Sequence, residues 1–549
     1  MRFALTLVLL TLCSCAAPDR YDLLIRNGTL VDGSGDPGYA GDLGIRGGRI
    51  IAMGDLAGAS ADQEIDATGL VVAPGFIDIH NHSDETLLAE PAGESMIRQG
   101  VTTMILGEGG SAGPVHEGEK PWTTLGGYFE HVEETGVSAN IASYVGQTQI
   151  WTYVKGDELK PATPEEIAKM QAEVEQAMAE GALGLSTSLL MPPSSLVTTE
   201  QLIELAKPAA RAGGLYSTHI RDEGLGVFEA IDEAIAVGRG AQIRVDVIHL
   251  KIADQKLWGR MSEVIANIDA ARAEGLDVRA NVYPYTAGQN NLRAIIPPWA
   301  HDGGNEAMLE RLKAPGARAR MRKDIEEGLP GWYNHYLAVG SDWSRMLLVG
   351  LEQEQNKPFV GKRMSDLIAS RTTDPIDTLF DVLIEEGGGV RTVYFHHDED
   401  DMLYALQQPY TSVGSDGSAV SPDGQYADMH PHPRYYGTFP RVLGRYVREL
   451  AALRLEQAIR KMTSMNAEKT NLQERGLLRE GYWADVAVFD PETVADRATF
   501  ENPHKYPVGI PWVIVNGEVV LEDGERTDAR PGKVLRGPSF SNTGTINRQ

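Results

Sequence analysis

The chain has 549 residues, 42% apolar and 23% charged, enough to bury a substantial core. Its 77 acidic and 50 basic residues give a net charge of -27, which argues against nucleic acid and anionic membrane surfaces as partners. The acid is scattered rather than gathered in tails, and no tandem repeat stands out. The length fits several domains or one large barrel enzyme.

In chain order, Met1 to Cys15 reads as an export signal: Arg2, an apolar run from Phe3 to Leu12, then small residues. Leu12-Cys13-Ser14-Cys15 resembles the bacterial lipobox and predicts lipidation of Cys15, which becomes the first mature residue. The run is too short to span a bilayer. The expectation is a membrane-anchored lipoprotein facing the periplasm. Ala16 after the cysteine favours the outer membrane, and plain secretion is the alternative. Both cysteines fall here, so the mature chain has no disulfide and no thiolate ligand.

Short strands and glycine turns follow: Leu23–Arg26, Thr29–Val31, Leu43–Arg46 and Arg49–Ala52. Similar spacing returns at Asp485–Phe489 and Trp512–Val520. Each half is too small to bury its own face, so residues 21–73 and 474–535 are expected to build one small β-sandwich domain together. Across 74–473 strands alternate with helical patterns, the mark of an α/β fold. Eight candidate strands begin near Phe76, Gly100, Ile141, Gly184, Gly214, Arg244, Val278 and Thr411. That is the count of a (β/α)8 TIM-like barrel, whose chemistry sits at strand C-termini. A helix is expected from Pro164 to Glu180, capped by Thr163. Residues 289–390 are long for a connection and predict an inserted lid or subdomain.

The first barrel strand ends in His80-Asn81-His82. Residues two apart share a strand face, so both imidazoles project together and suit a zinc-like ion. A second pair, His430 and His432, is flanked by prolines that argue against a central strand. His219 and His249 each end an apolar run, and Asp416 ends the eighth strand. Four histidines and an aspartate at strand ends permit metal-assisted hydrolysis. The ion activates water and polarises a carbonyl, while Asp416 as general base takes the proton and returns it to the leaving amine.

Further motifs complete the pattern: Pro74-Gly-Phe-Ile-Asp-Ile-His-Asn-His82, Gly100-Val-Thr-Thr103, Gly181-Ala-Leu-Gly-Leu-Ser-Thr187, Thr218-His-Ile-Arg-Asp-Glu-Gly224, His249-Leu-Lys251, Tyr283-Pro-Tyr-Thr-Ala-Gly288, Gly414-Ser-Asp-Gly417, His432-Pro-Arg434 and Gly437 through Arg445. With these, nearly the whole mature chain resembles the amidohydrolase superfamily, and within it the N-acyl-D-amino-acid deacylase (D-aminoacylase) family. The resemblance implies one or two zinc ions and cleavage of the amide bond of an N-acyl-D-amino acid. It also implies substrate binding by Lys251, Tyr283 and Arg434, the first two toward the α-carboxylate and Arg434 near the substrate side chain. The partner expected is that small molecule or a D-dipeptide, with no protein partner. A dipeptidase acting on Xaa-D-amino-acid bonds, or a non-catalytic solute-binding lipoprotein on a decayed barrel, are the rival expectations.

Three departures from the family pattern bear on the metal site. Where the family carries a cysteine ligand in Gly-Asn-Cys-Gly, this chain has Gly107-Glu-Gly-Gly110. Gly184-Leu-Ser-Thr-Ser188 holds no lysine of the kind that other relatives carbamylate. Val145-Gly-Gln147 replaces the family's Val-Gly-His. Glu108 is therefore expected to take the cysteine's place as a metal ligand, its two oxygens able to bridge a pair of ions. The competing expectation is a helix cap or an ion pair with Arg221.

Overall fold

A computed structural model describes residues 20–156 and 158–540. The export segment and Cys15 lie outside the described residues. Among those described, no helix is long and apolar enough to cross a membrane.

The two chain ends share one sheet of nine strands. Val71–Pro74 pairs with Arg20–Leu30 on one side and with Val486–Phe489 on the other. Leu23, Ile25, Ile45, Ile65, Val72, Val486, Val488 and Ile514 meet in its core. Two details differ from the sequence reading. Leu23–Arg26 and Thr29–Val31 belong to one long strand, Arg20–Leu30. Its register shifts between Ile25 and Gly28 around Asn27, whose φ is 59°, and such a bulge bends a strand without ending it. Trp512–Val520 is instead a hairpin, Trp512–Val515 and Glu518–Glu522, turning at Asn516-Gly517 with φ of 49° and 85°.

Gly75 carries the chain from this sheet straight into the barrel. Its N–H donates to Asp485 O at 2.9 Å. A Cβ there would lie 2.2 Å from Thr102 Cγ2, so only glycine permits the approach.

The barrel is a closed ring of parallel strands. Its members are Phe76–Asp78, Val101–Leu106, Asn140–Ser143 continued by Val145–Gly146, Gly184–Ser188, Leu215–His219, Arg244–Val247, Val278–Val282 and Thr411–Val413. The eighth strand returns to the first through an Asn81–Gly417 bridge. Helices pack outside, each burying one face. Pro164–Glu180 starts in a capping box of Thr163 and Glu166 and buries Ile167, Met170, Val174, Ala177 and Met178. Beneath the barrel, helix Ser464–Thr470 places Ala467 among the inward-facing Ile77, Ile105, Ala142, Leu183 and Leu215.

Between the seventh and eighth strands the chain builds a separate unit. Its antiparallel sheet has Arg391–Tyr394 between Gly288–Asn291 and Met346–Gly350. Leu292, Ile295, Met308, Leu348, Leu379, Phe380 and Leu383 are part of its own core.

Candidate metal centre and substrate cavity

The turn after the second strand fixes the centre. Gly107 and Gly109 flank Glu108 with φ of 89° and 61°. A Cβ on Gly107 would lie 2.5 Å from Tyr144 O, and one on Gly109 would lie 2.6 Å from Ser188 Cβ. Neither position tolerates a side chain. Ser186, on the fourth strand, accepts the Gly109 N–H at 3.0 Å and donates to Gly107 O. That strand thus contributes support for the Glu108 turn, where other relatives place a lysine.

Glu108 faces two groups at once. Its Oε2 lies 2.6 Å from His80 Nε2 and 3.1 Å from His82 Nε2. Its Oε1 lies 3.1 Å from His219 Nδ1. Asp416 Oδ1 joins the first group, 3.0 Å from His82 Nε2 and 3.7 Å from His80 Nε2. His249 joins the second, its ring 4.3 Å from that of His219. The potential ligand atoms of His80, His82, Glu108 and Asp416 all lie within 4.8 Å of one another, as do those of Glu108, His219 and His249. Neutral imidazoles with carboxylates are a suitable donor set for zinc, and two sets sharing a two-oxygen group suit two ions. Arg221, the other partner expected for Glu108, instead pairs with Glu233 at 2.9 Å. Three histidine nitrogens within 3.1 Å thus take the place expected for the guanidinium.

Backbone and buried polar groups hold these side chains. His249 and Asp416 both adopt positive φ, 38° and 53°, a costly conformation that needs support. The Asn281 side chain accepts the His249 N–H at 2.9 Å. The Asp416 N–H donates to His80 O at 2.8 Å. Buried Asp78 accepts from the Ser415 N–H at 2.7 Å, from the Ser415 hydroxyl and from the Asn81 amide at 2.8 Å. It ties the His80–His82 loop to the Asp416 turn. The second histidine pair takes no part: His432 Nε2 lies 2.9 Å from Ala287 O and His430 Nε2 lies 2.6 Å from Phe500 O.

Glu223 was not singled out from the sequence. It lies in the loop after His219, and its spacing His219-Ile-Arg-Asp-Glu223 was the available signal. Glu223 Oε1 lies 3.1 Å from His249 Nδ1 and 3.5 Å from His219 Nε2, and it pairs with Lys251. Burial opposes its charge, but Lys251, His219 and His249 outweigh burial and hold the carboxyl well below the usual range. Burial, reinforced by Lys251, takes His249 down to about 4, so its imidazole is neutral and free to ligate. Asp416 is ionised in the same way: burial works against it, and Arg434 and His80 prevail.

Lys251, Tyr283 and Arg434 meet on one side of the centre. Arg434 Nη1 lies 2.8 Å from Asp416 Oδ2, and its guanidinium lies 4.8 Å from the Tyr283 ring centroid. Lys251 Nζ is 5.7 Å from the same centroid. These residues, with His82, Glu108, His219, His249 and Asp416, line one cavity of about 250 Å³ at the C-terminal ends of the barrel strands.

A profile of the Amidohydrolase family matches residues 63–321 and 376–521. A D-aminoacylase of Alcaligenes xylosoxydans xylosoxydans is 36% identical over 94% of this chain and 97% of its own length. An N-acyl-D-aspartate deacylase of the same organism is also 36% identical, over 94% and 96%. The crystal structure of N-acyl-D-glutamate deacylase from Bordetella bronchiseptica, complexed with zinc and a phosphonate that mimics the tetrahedral intermediate, superposes with a TM-score of 0.80. It is 33% identical and covers 94% of this chain and all of its own. With the barrel, the paired donor sets and these matches together, the chain belongs to the amidohydrolase family.

Proposed function

We propose that the protein hydrolyses the amide bond of N-acyl-D-amino acids, releasing a carboxylate and a D-amino acid, with zinc held by His80, His82, Glu108, Asp416, His219 and His249. The observation that carries this reading is Glu108, one oxygen in each donor set, facing the Lys251–Tyr283–Arg434 cluster across a single cavity. Zinc in such a site lowers the pKa of water and polarises a carbonyl. Asp416, ionised and held by Arg434, accepts the water proton and delivers it to the departing amine. Lys251, Tyr283 and Arg434 present two cations and a phenol to the substrate, the first two oriented to the α-carboxylate. Glu223 keeps His249 and Lys251 in place.

Metal content and turnover, measured together on N-acetyl-D-amino acids and their L-enantiomers, test the reading. Glu108→Gln is expected to lose metal and activity. Asp416→Asn is expected to keep much of the metal and lose about 10²–10⁴-fold in turnover. Near-normal rates in both variants would overturn it.

The location belongs to the same proposal: a lipoprotein anchored through Cys15 and facing the periplasm, supported by the apolar leader and Leu12-Cys13-Ser14-Cys15. Cys15→Ser should yield soluble or unprocessed protein. A mature, membrane-bound variant would refute the anchor.

A further inference from the structure

The barrel supplies only part of the cavity wall. The rest comes from the inserted unit: Gln289 and Asn290 on its first strand, His335 opening helix His335–Ala338, Tyr394 ending its last strand, and His396 just beyond. The family profile passes over residues 322–375, the stretch that carries His335.

This part of the wall is polar and carries no charge. His335 and His396 are each 3% exposed, and the Nδ1 of each has no protein hydrogen-bond partner. Asn290 Oδ1 accepts the Asn291 N–H at 2.7 Å, which orients the amide so that its nitrogen donates to His335 Nε2 at 3.4 Å. That contact leaves the ring proton of His335 on Nδ1, as a donor. The ring planes are fixed by packing: His335 lies 4.7 Å from both Tyr333 and Tyr394, and Tyr394 stacks with His396 at 6.1 Å. Burial takes His335 down to about 3 and His396 well below the ordinary imidazole range, so neither is a cation at neutral pH.

The charged groups of the cavity are already matched. Lys251 faces Glu223, Arg434 faces Asp416, and Glu108 adds a third carboxylate. The α-carboxylate of a substrate draws on Lys251 and Tyr283, and Arg434 is engaged by Asp416. A second carboxylate on the same molecule would enter the buried site with no cation left to meet it, a costly state. Lys251 also places the substrate relative to this wall. Lys251, His335 and His396 line the same cavity, so a substrate anchored at Lys251 by its α-carboxylate brings a side chain on the same carbon within reach of the imidazoles.

We propose that the inserted unit forms the side-chain subsite of the D-amino acid and that it selects uncharged hydrogen-bonding side chains, carboxamides foremost, over aspartate and glutamate. This rests on the deacylase reading and sharpens it. Sequence identity offers no such choice, because the relatives named for D-aminoacyl, D-aspartate and D-glutamate substrates stand at 36%, 36% and 33%.

The test is kcat/KM on the metal-loaded protein with the N-acetyl derivatives of D-asparagine, D-glutamine, D-aspartate, D-glutamate and D-leucine. Asparagine and glutamine are expected to exceed aspartate and glutamate by about tenfold or more, the scale set by an unpaired buried group. His335→Phe and His396→Phe, each checked for unchanged metal content, are expected to lower the asparagine-to-leucine ratio by about tenfold. Equal or better use of the acidic substrates, or an unchanged ratio in both variants, would overturn the subsite and leave the deacylase reading standing. No turnover with any of the five would overturn the deacylase reading and this subsite together.

Discussion

Two buried lysine–carboxylate pairs lie within the same barrel, Lys469 with Asp246 underneath and Lys251 with Glu223 at the cavity. Lys469 Nζ donates to Asp246 Oδ1 at 2.6 Å, Ala280 O at 2.5 Å and Ser412 Oγ at 2.8 Å, which uses all three of its protons. The second oxygen of Asp246 accepts from Asn281 at 2.8 Å. Lys251 also has three partners, but two of them belong to a candidate metal ligand: it donates to Glu223, to His249 Nδ1 at 2.7 Å and to His249 O at 2.9 Å, and Glu223 is shared with both His219 and His249. A pair bonded only to groups of the barrel strands can only hold strands together. A pair whose members also touch candidate metal ligands can be re-shared when an anion arrives.

Breaking the lower pair should have the largest effect on stability. Lys469→Met leaves Asp246 buried without its cation, and a loss of about 3–5 kcal/mol is expected by denaturant unfolding. A loss under about 1 kcal/mol would show that the pair is not structural. Lys251→Met should move binding more than folding, because His219 and His249 still surround Glu223. KM is expected to rise about 10–100-fold, the worth of a charged hydrogen bond, with a smaller shift in unfolding. If unfolding moves as far as in Lys469→Met, the contrast between the two pairs fails.

A third lysine sharpens the contrast through pH. Lys461 donates to the carbonyls of Gln408 and Thr411, with no carboxylate partner. Burial, with Lys469 and Arg460 nearby, takes it from 10.5 down to about 7. Between those values the unfolded chain binds one proton more than the folded chain, so stability rises with pH across that window. The slope is at most about 1.4 kcal/mol per pH unit. Lys461→Met should flatten the rise between pH 7 and 8, and identical slopes in the two proteins would discard the assignment. The smallest effect is expected outside the cavity: Thr163→Ala removes the capping box of helix Pro164–Glu180 and should cost about 1 kcal/mol with KM unchanged.

Several barrel strands were legible in the sequence because they are short runs closed by a polar residue, as in Leu215–His219. The histidines and Asp416 were legible for the same reason, since they stand where those runs stop. Glu223 was hidden because it follows its strand in an irregular loop, where no periodicity marks a side chain that turns back. His335 and His396 were hidden for another reason. They reach the cavity only when Gly288–Asn291 pairs with Arg391–Tyr394, a contact between segments far apart in sequence. The split of Arg20–Leu30 into two strands came from reading Asn27-Gly28 as a turn, whereas the pairing with Ser60–Asp66 and Val71–Pro74 carries the strand through it.

The Gly75 junction also sets an order of assembly. The strand that leads to His80 and His82 begins in a sheet whose neighbouring strand, Val486–Phe489, is made long after it. A nascent chain that ends before Asp485 already holds every residue of the candidate centre. It lacks the edge that fixes where the first barrel strand starts, including the Asp485 carbonyl that receives the Gly75 N–H. Synthesis must therefore run past Phe489 before the ion-binding geometry can close, so metal capture waits for a strand far downstream of every ligand.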